Sequence, residues 1–169
     1  YMNRYEEKLG YANKRGASEV LAVKIQEDVI VYMAKYHLMT EGWRVTPQNP
    51  NATEAVVFLG DSFTFGIGVQ DEETYAYRVG EWMGRRYQVF NYGIGGWGTH
   101  QVYALVEDGW LDHISAQYDR VPVVYMPLDD HKNRLVGGSV WDQAGPCYTQ
   151  REEGPIDNQC PFSPVKPWQ

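Results

Sequence analysis

At 169 residues with 43% hydrophobic content, the chain can bury one sizeable core, which excludes a disordered polymer. Its net charge of −7 excludes the basic footprint that non-specific nucleic-acid binding requires, and no run of about 18 apolar residues offers a membrane-spanning helix. Thirteen Tyr and six Trp supply core material first and stacking surface for sugars or partners second.

No signal peptide is visible, and a first residue of Tyr1 rather than Met points to a processed or excised piece. Residues 1–17 are polar, carry Gly10 and Gly16, and read as loosely structured. Ser18 can cap a short helix through about Ile25, with strand as the other reading. Val29 to Leu38 is β-rich, Glu41-Gly42 reads as a turn, and Trp43 to Val45 as a short partner strand, an N-terminal β-hairpin. Thr46 to Thr53 holds two prolines and several amide side chains and reads as a linker.

The middle alternates strand and helix. Ala55 to Leu59 is an unbroken apolar run, the pattern of a parallel strand covered on both faces. Glu73 to Arg86 predicts a helix with Tyr75, Val79, Trp82 and Met83 on one face and Asp71 as a cap. Tyr87 to Asn91 is a second strand. Thr99 caps a second helix whose stripe is Val102, Leu105, Val106 and Trp110, and Val121 to Met126 is a third strand. This order predicts an α/β fold, a three-layer parallel sheet flanked by helices. The division is an N-terminal extension over 1–53, an α/β core over 54–137 and an irregular, proline-rich C-terminal tail over 138–169.

Three predicted strands end in loops suited to chemistry, and ligands of open α/β sheets bind at that edge. The first loop is Gly60-Asp61-Ser62, where a tight turn presents the Ser62 hydroxyl as a nucleophile candidate. A plain turn with Ser62 as a helix cap is the structural alternative. The second, Asn91-Tyr92-Gly93-Ile94-Gly95-Gly96-Trp97-Gly98, has the outline of a dinucleotide fingerprint. It lies in the second βα unit, carries a bulky Trp97 and lacks a convincing acid about 20 residues on, so an oxyanion amide suits it better. The third is Pro127-Leu128-Asp129-Asp130-His131-Lys132-Asn133-Arg134, a charged loop.

Together these blocks, from about Val56 to Arg134, resemble the SGNH (GDSL-like) hydrolase superfamily. Gly60-Asp61-Ser62-Phe63-Thr64-Phe65-Gly66, with Gly68-Val69 and Asp71-Glu72-Glu73-Thr74, looks most like the bacterial subgroup that includes alginate acetyltransferase-like proteins. The resemblance implies an SGNH/flavodoxin-like fold and ester hydrolysis or O-acyl transfer on a small acyl ester or acylated carbohydrate, with no cofactor and no metal. It places Ser62 as nucleophile beside Asp61, with an oxyanion amide at Gly95 or, second, Gly93.

Two departures from the family pattern matter. Where the family offers Gly-x-Asn-Asp, this chain has Leu128-Asp129-Asp130-His131, and an ionised Asp129 would repel an oxyanion. His131 or Asn133 can donate instead. The family's late Asp-x-x-His is absent: the residues three before His37, His100, His113 and His131 are Ala34, Trp97, Trp110 and Leu128. The base then lies outside this chain, or is His131, or the domain is a non-catalytic relative that binds carbohydrate or serves assembly. His100 reads as a surface or capping residue. Cys147 and Cys160 are close enough in sequence for a disulfide, which would suit a secreted or periplasmic protein; two free thiols are the alternative.

Overall fold

The structure is a computed structural model that describes residues 2–135, 145, 146 and 148. The Cys147–Cys160 pairing and nearly all of the 138–169 tail lie outside these residues. Strand β5 (Glu54–Gly60) is buried along its whole length. It lies between β6 (Tyr87–Gly93) and β7 (Val123–Tyr125) in a parallel sheet of order β6-β5-β7. An unbroken run of Ala, Val, Phe and Leu has no polar side chain to keep wet, so both faces of β5 can be covered.

The two faces are covered by different helices. Val56 and Phe58 pack with Val89 against Ala76, Tyr75 and Val79 of α2 (Tyr75–Met83). Ala55, Val57 and Leu59 pack against Val102 and Leu105 of α3 (Thr99–Glu107) and Ile114 of α4 (Asp112–Ser115). Alternation along one strand thus creates the layers of the mixed α/β fold. Gly60 stands level with Gly93 across the β5–β6 ladder, and Leu59 level with Tyr125 across β5–β7. The loops after these strands therefore leave the same edge of the sheet.

Both helices differ from their predicted stripes. Helix α2 begins at Tyr75, where Thr74 accepts from the Tyr77 amide, and Asp71–Glu73 forms a 3₁₀ turn instead. Asp71 cannot cap because its carboxylate is committed to His37 and Arg44. Trp82 is 85% exposed, and Ala76 and Gly80 take the buried face. In α3, Val106 is half exposed, and the helix ends at Glu107, before Trp110. Its N-cap position is Gly98; the Thr99 hydroxyl bonds instead to the Tyr125 hydroxyl at 2.9 Å.

The N-terminal region is more ordered than its composition predicts. β1 (Asn3–Glu6) and β2 (Gly10–Asn13) form an antiparallel hairpin. Leu9, Tyr11 and Ala12 join the core that holds Val57 and Leu59, so tertiary burial overrides the polar local sequence. Ser18–Gln26 is strand β3, not a helix, paired along its length with β4 (Val29–Leu38). Its turn residues Glu27 and Asp28 both have positive φ, 50° and 63°. A two-residue hairpin turn needs that backbone, and without Gly or Asn it leaves little trace in the sequence.

Trp43 to Val45 forms no strand. Arg44 alone bridges Leu38 of β4 on one side and Asn91 of β6 on the other, which joins the hairpin to the central sheet. Its side chain is 1% exposed and extends the same connection. Nε donates to Asp71 at 2.7 Å, Nη1 to the carbonyls of Phe65 and Gly66 at 3.0 Å, and Nη2 to the Val69 carbonyl at 2.9 Å. The guanidinium carbon lies 4.2 Å from the Tyr36 ring centre and 4.8 Å from that of Phe65. The 46–53 segment has no regular structure but is anchored, with Thr46 donating to the Val89 carbonyl at 2.6 Å.

Removing one member of a buried charge pair leaves the other uncompensated and typically costs about 3–5 kcal/mol. Arg44→Met is expected to lose stability in that range by urea unfolding, whereas the exposed Arg78→Met is expected to lose less than about 1 kcal/mol.

Candidate active site

Ser62 is the first residue of the one-turn helix α1 (Ser62–Phe65). Asp61, fully buried, caps it by accepting from the Phe63 amide at 3.0 Å. Two close approaches hold this turn against the sheet. A Cβ on Gly60 would meet Thr64 Oγ1 at 2.1 Å, and one on Gly93 would meet the Phe65 nitrogen at 2.1 Å. Asn91 completes the clamp: its Nδ2 donates to the Thr64 carbonyl at 2.9 Å and its Oδ1 accepts from the Gly93 amide at 3.0 Å. The Gly93 amide is therefore committed, and Gly93 acts in packing.

The second loop is oriented from the N-terminal hairpin. The Tyr11 hydroxyl donates to the Gly95 carbonyl at 3.1 Å, and Trp97 Nε1 donates to the Tyr11 carbonyl at 3.1 Å. The Gly95 amide makes no hydrogen bond among the described residues. Gly95 and Gly96 line a cavity of about 670 Å³ with Ser62, Phe63, Ile67 and Arg134. The Ser62 hydroxyl also has no hydrogen-bond partner among the described residues.

The third loop enters α5 (Asp130–Leu135) and sends its residues in different directions. His131 is 2% exposed and does not line this cavity. Its Nδ1 lies 2.8 Å from the Tyr125 hydroxyl, and its Nε2 lies 3.3 Å from Asp61 Oδ2, off hydrogen-bond alignment. The Leu128 amide also faces Nδ1, at 3.4 Å, so Nδ1 is the accepting nitrogen and the Nε2 proton faces Asp61. Asp129 is exposed, pairs with Lys132 at 3.3 Å, and lies away from the cavity. Asn133 is also exposed, and bonds Asp130 at 3.4 Å.

Arg134, absent from the predicted site residues, does reach the cavity. Its Nε donates to Asp130 at 2.8 Å, and its Nη1 to the Trp97 carbonyl at 2.6 Å and to Asp61 at 3.3 Å. The sequence signal was its place four residues after Asp130, the spacing of a helical ion pair. That spacing does not reveal that Arg134 lines one cavity with Ser62. Among the described residues no group of three or more His, Cys, Asp or Glu could hold a metal ion, and no helix is long and apolar enough to cross a membrane.

No protein-family model matches this chain, and neither a curated protein nor a solved structure does.

His100 sits at the start of α3, where the sequence suggested a surface or capping role; the structure buries it to 4% exposure. Burial, followed by the nearby His131 and Arg134, pushes its pKa down to about 4, so it is neutral at pH 7. An unfolded histidine protonates near 6.5, so the folded state binds fewer protons as pH falls from about 6.5 towards 4, and His100 destabilises the protein in that window. The full shift corresponds to about 3 kcal/mol. His100→Leu is expected to lose stability less steeply than wild type between pH 6.5 and 4, measured by thermal unfolding at each pH.

Proposed function

We infer that this protein is an SGNH-type ester hydrolase or O-acyltransferase acting on a small acyl ester, with an acylated carbohydrate as the favoured substrate class and Ser62 as nucleophile. The observation that carries this reading is the shared cavity: Ser62 and Gly95, whose hydroxyl and amide have no hydrogen-bond partner among the described residues, line one space at the edge where three parallel strands end. Ser62 Oγ attacks the acyl carbonyl carbon, the carbonyl π pair moves onto oxygen, and the amides of Ser62 and Gly95 donate to that oxyanion. His131 does not line the cavity, so the hydroxyl proton goes to an imidazole base supplied from outside the described residues. The acyl group then passes to water or to an acceptor hydroxyl.

The second reading is a non-catalytic SGNH-like domain that binds carbohydrate or serves assembly. The placement of His131 favours it, because both ring nitrogens face Tyr125 and Asp61 while the ring stays out of the Ser62 cavity.

Incubation with a fluorophosphonate separates the two. The enzyme reading expects one covalent adduct per chain, at Ser62 by peptide mapping, and none in Ser62→Ala. A folded wild type that stays unlabelled overturns it.

A further inference from the structure

We propose that Arg134 is a catalytic residue of this site, whose Nη2 amino group donates a hydrogen bond to the oxyanion formed when Ser62 attacks an ester. This rests on the Ser62 reading above and adds a residue and a role to it.

Asp129 and Asn133, the third-loop residues first considered as donors, are exposed and turned away from the cavity. Arg134 lies on the same short helix one residue after Asn133, and its side chain is about nine-tenths buried, at 9% exposure. Its fork is held at two of its three nitrogens. Nε is fixed by Asp130, and Nη1 by the Trp97 carbonyl and Asp61. Nη2 has no hydrogen-bond partner among the described residues, although Arg134 lines the cavity with Ser62 and Gly95.

Nη2 keeps some exposure although the rest of the side chain is buried, so an acceptor entering the adjoining space can reach it. The developing charge of a tetrahedral intermediate supplies such an acceptor. Nη2–H donates without transferring a proton, since a guanidinium does not deprotonate in proteins. Asp61 and Asp130 lie on the far nitrogens of the fork, where they fix its direction in advance of the reaction. Such a pre-set donor is what an oxyanion site requires. The surrounding carboxylates also argue against a resting anion on Nη2. Arg134 is paired with both, so its single positive charge is already met by carboxylates before any oxyanion forms.

The test uses the full 169-residue chain, a fluorophosphonate and p-nitrophenyl acetate. With labelled wild type as reference, Arg134→Gln is expected to slow labelling about 10²–10³-fold, the usual effect of removing one oxyanion donor. For p-nitrophenyl acetate, kcat is expected to fall by a similar factor with KM changed less than about threefold, the signature of an interaction made in the transition state. Arg134→Lys keeps the charge beside Asp61 but has a single ammonium in place of the fork, and is expected to lose at least about tenfold. It also decides the question if Arg134→Gln does not fold. Wild-type labelling by a folded Arg134→Lys overturns the proposal, because charge or bracing of Asp61 then suffices. A rise in KM with kcat unchanged overturns it in favour of ground-state anion binding. A folded but unlabelled wild type overturns the Ser62 reading itself, whereas a labelled wild type matched by Arg134→Gln overturns only the role of Arg134.

Discussion

The structure depends on one buried guanidinium. Arg44 is the residue through which the β3–β4 hairpin meets the central sheet, by backbone bridges to Leu38 and Asn91. Its side chain then fixes the chain that follows Ser62, by donating to the carbonyls of Phe65, Gly66 and Val69. Those carbonyls follow a single turn of helix too short to satisfy itself, and a buried unpaired carbonyl would be costly. Arg44 meets three of them with one rigid fork while Asp71 balances its charge. Arg44 therefore does more than join the hairpin to the sheet: it also anchors the loop behind Ser62.

The same arrangement recurs on the other side of α1. Asp61 caps the turn and faces Arg134, much as Asp71 faces Arg44. The helix that carries Ser62 thus sits between two carboxylate–guanidinium pairs and is pressed against Gly93 from the sheet. Rotation of such a turn would break several bonds at once, which keeps the serine in place. The two pairs differ in one respect. Every nitrogen of the Arg44 fork is bonded within the protein, whereas Arg134, which lines the cavity, has no partner for Nη2 among the described residues. One guanidinium is structural in its whole fork, and the other combines a fixed base with a free donor.

Burial of His131 bears on how this site would work. A histidine within the third loop is the natural candidate for a base, yet its ring is held between the Tyr125 hydroxyl and the Asp61 carboxylate. The Tyr125 bond ties the third strand to the third loop, and Arg134 joins that loop to Asp61 of the Gly60-Asp61-Ser62 turn. In this position the ring bonds to Tyr125 and lies beside Asp61 without a hydrogen bond to it, outside the Ser62 cavity.

The sequence by itself determined the α/β alternation, the buried central strand and the three loops at one sheet edge. Each follows from local pattern: an apolar run long enough to be covered on both faces, turn glycines after it, and amphipathic segments between strands. It did not reveal that residues 3–13 pair as strands or that Trp82 faces solvent, and it left Ser18–Gln26 open between helix and strand. Those outcomes depend on partners distant in sequence: Leu9 and Tyr11 reach the β5 core, and Asp71 forgoes capping for Arg44. Within the site, sequence marked Ser62 and the glycine loop, while only the folded chain shows that Arg134, and not Asp129, His131 or Asn133, lines the cavity beside Ser62. Asp129 precedes α5 and the other three lie on it at different angles, and which side meets the cavity is set by how α5 packs on Asp61 and Trp97.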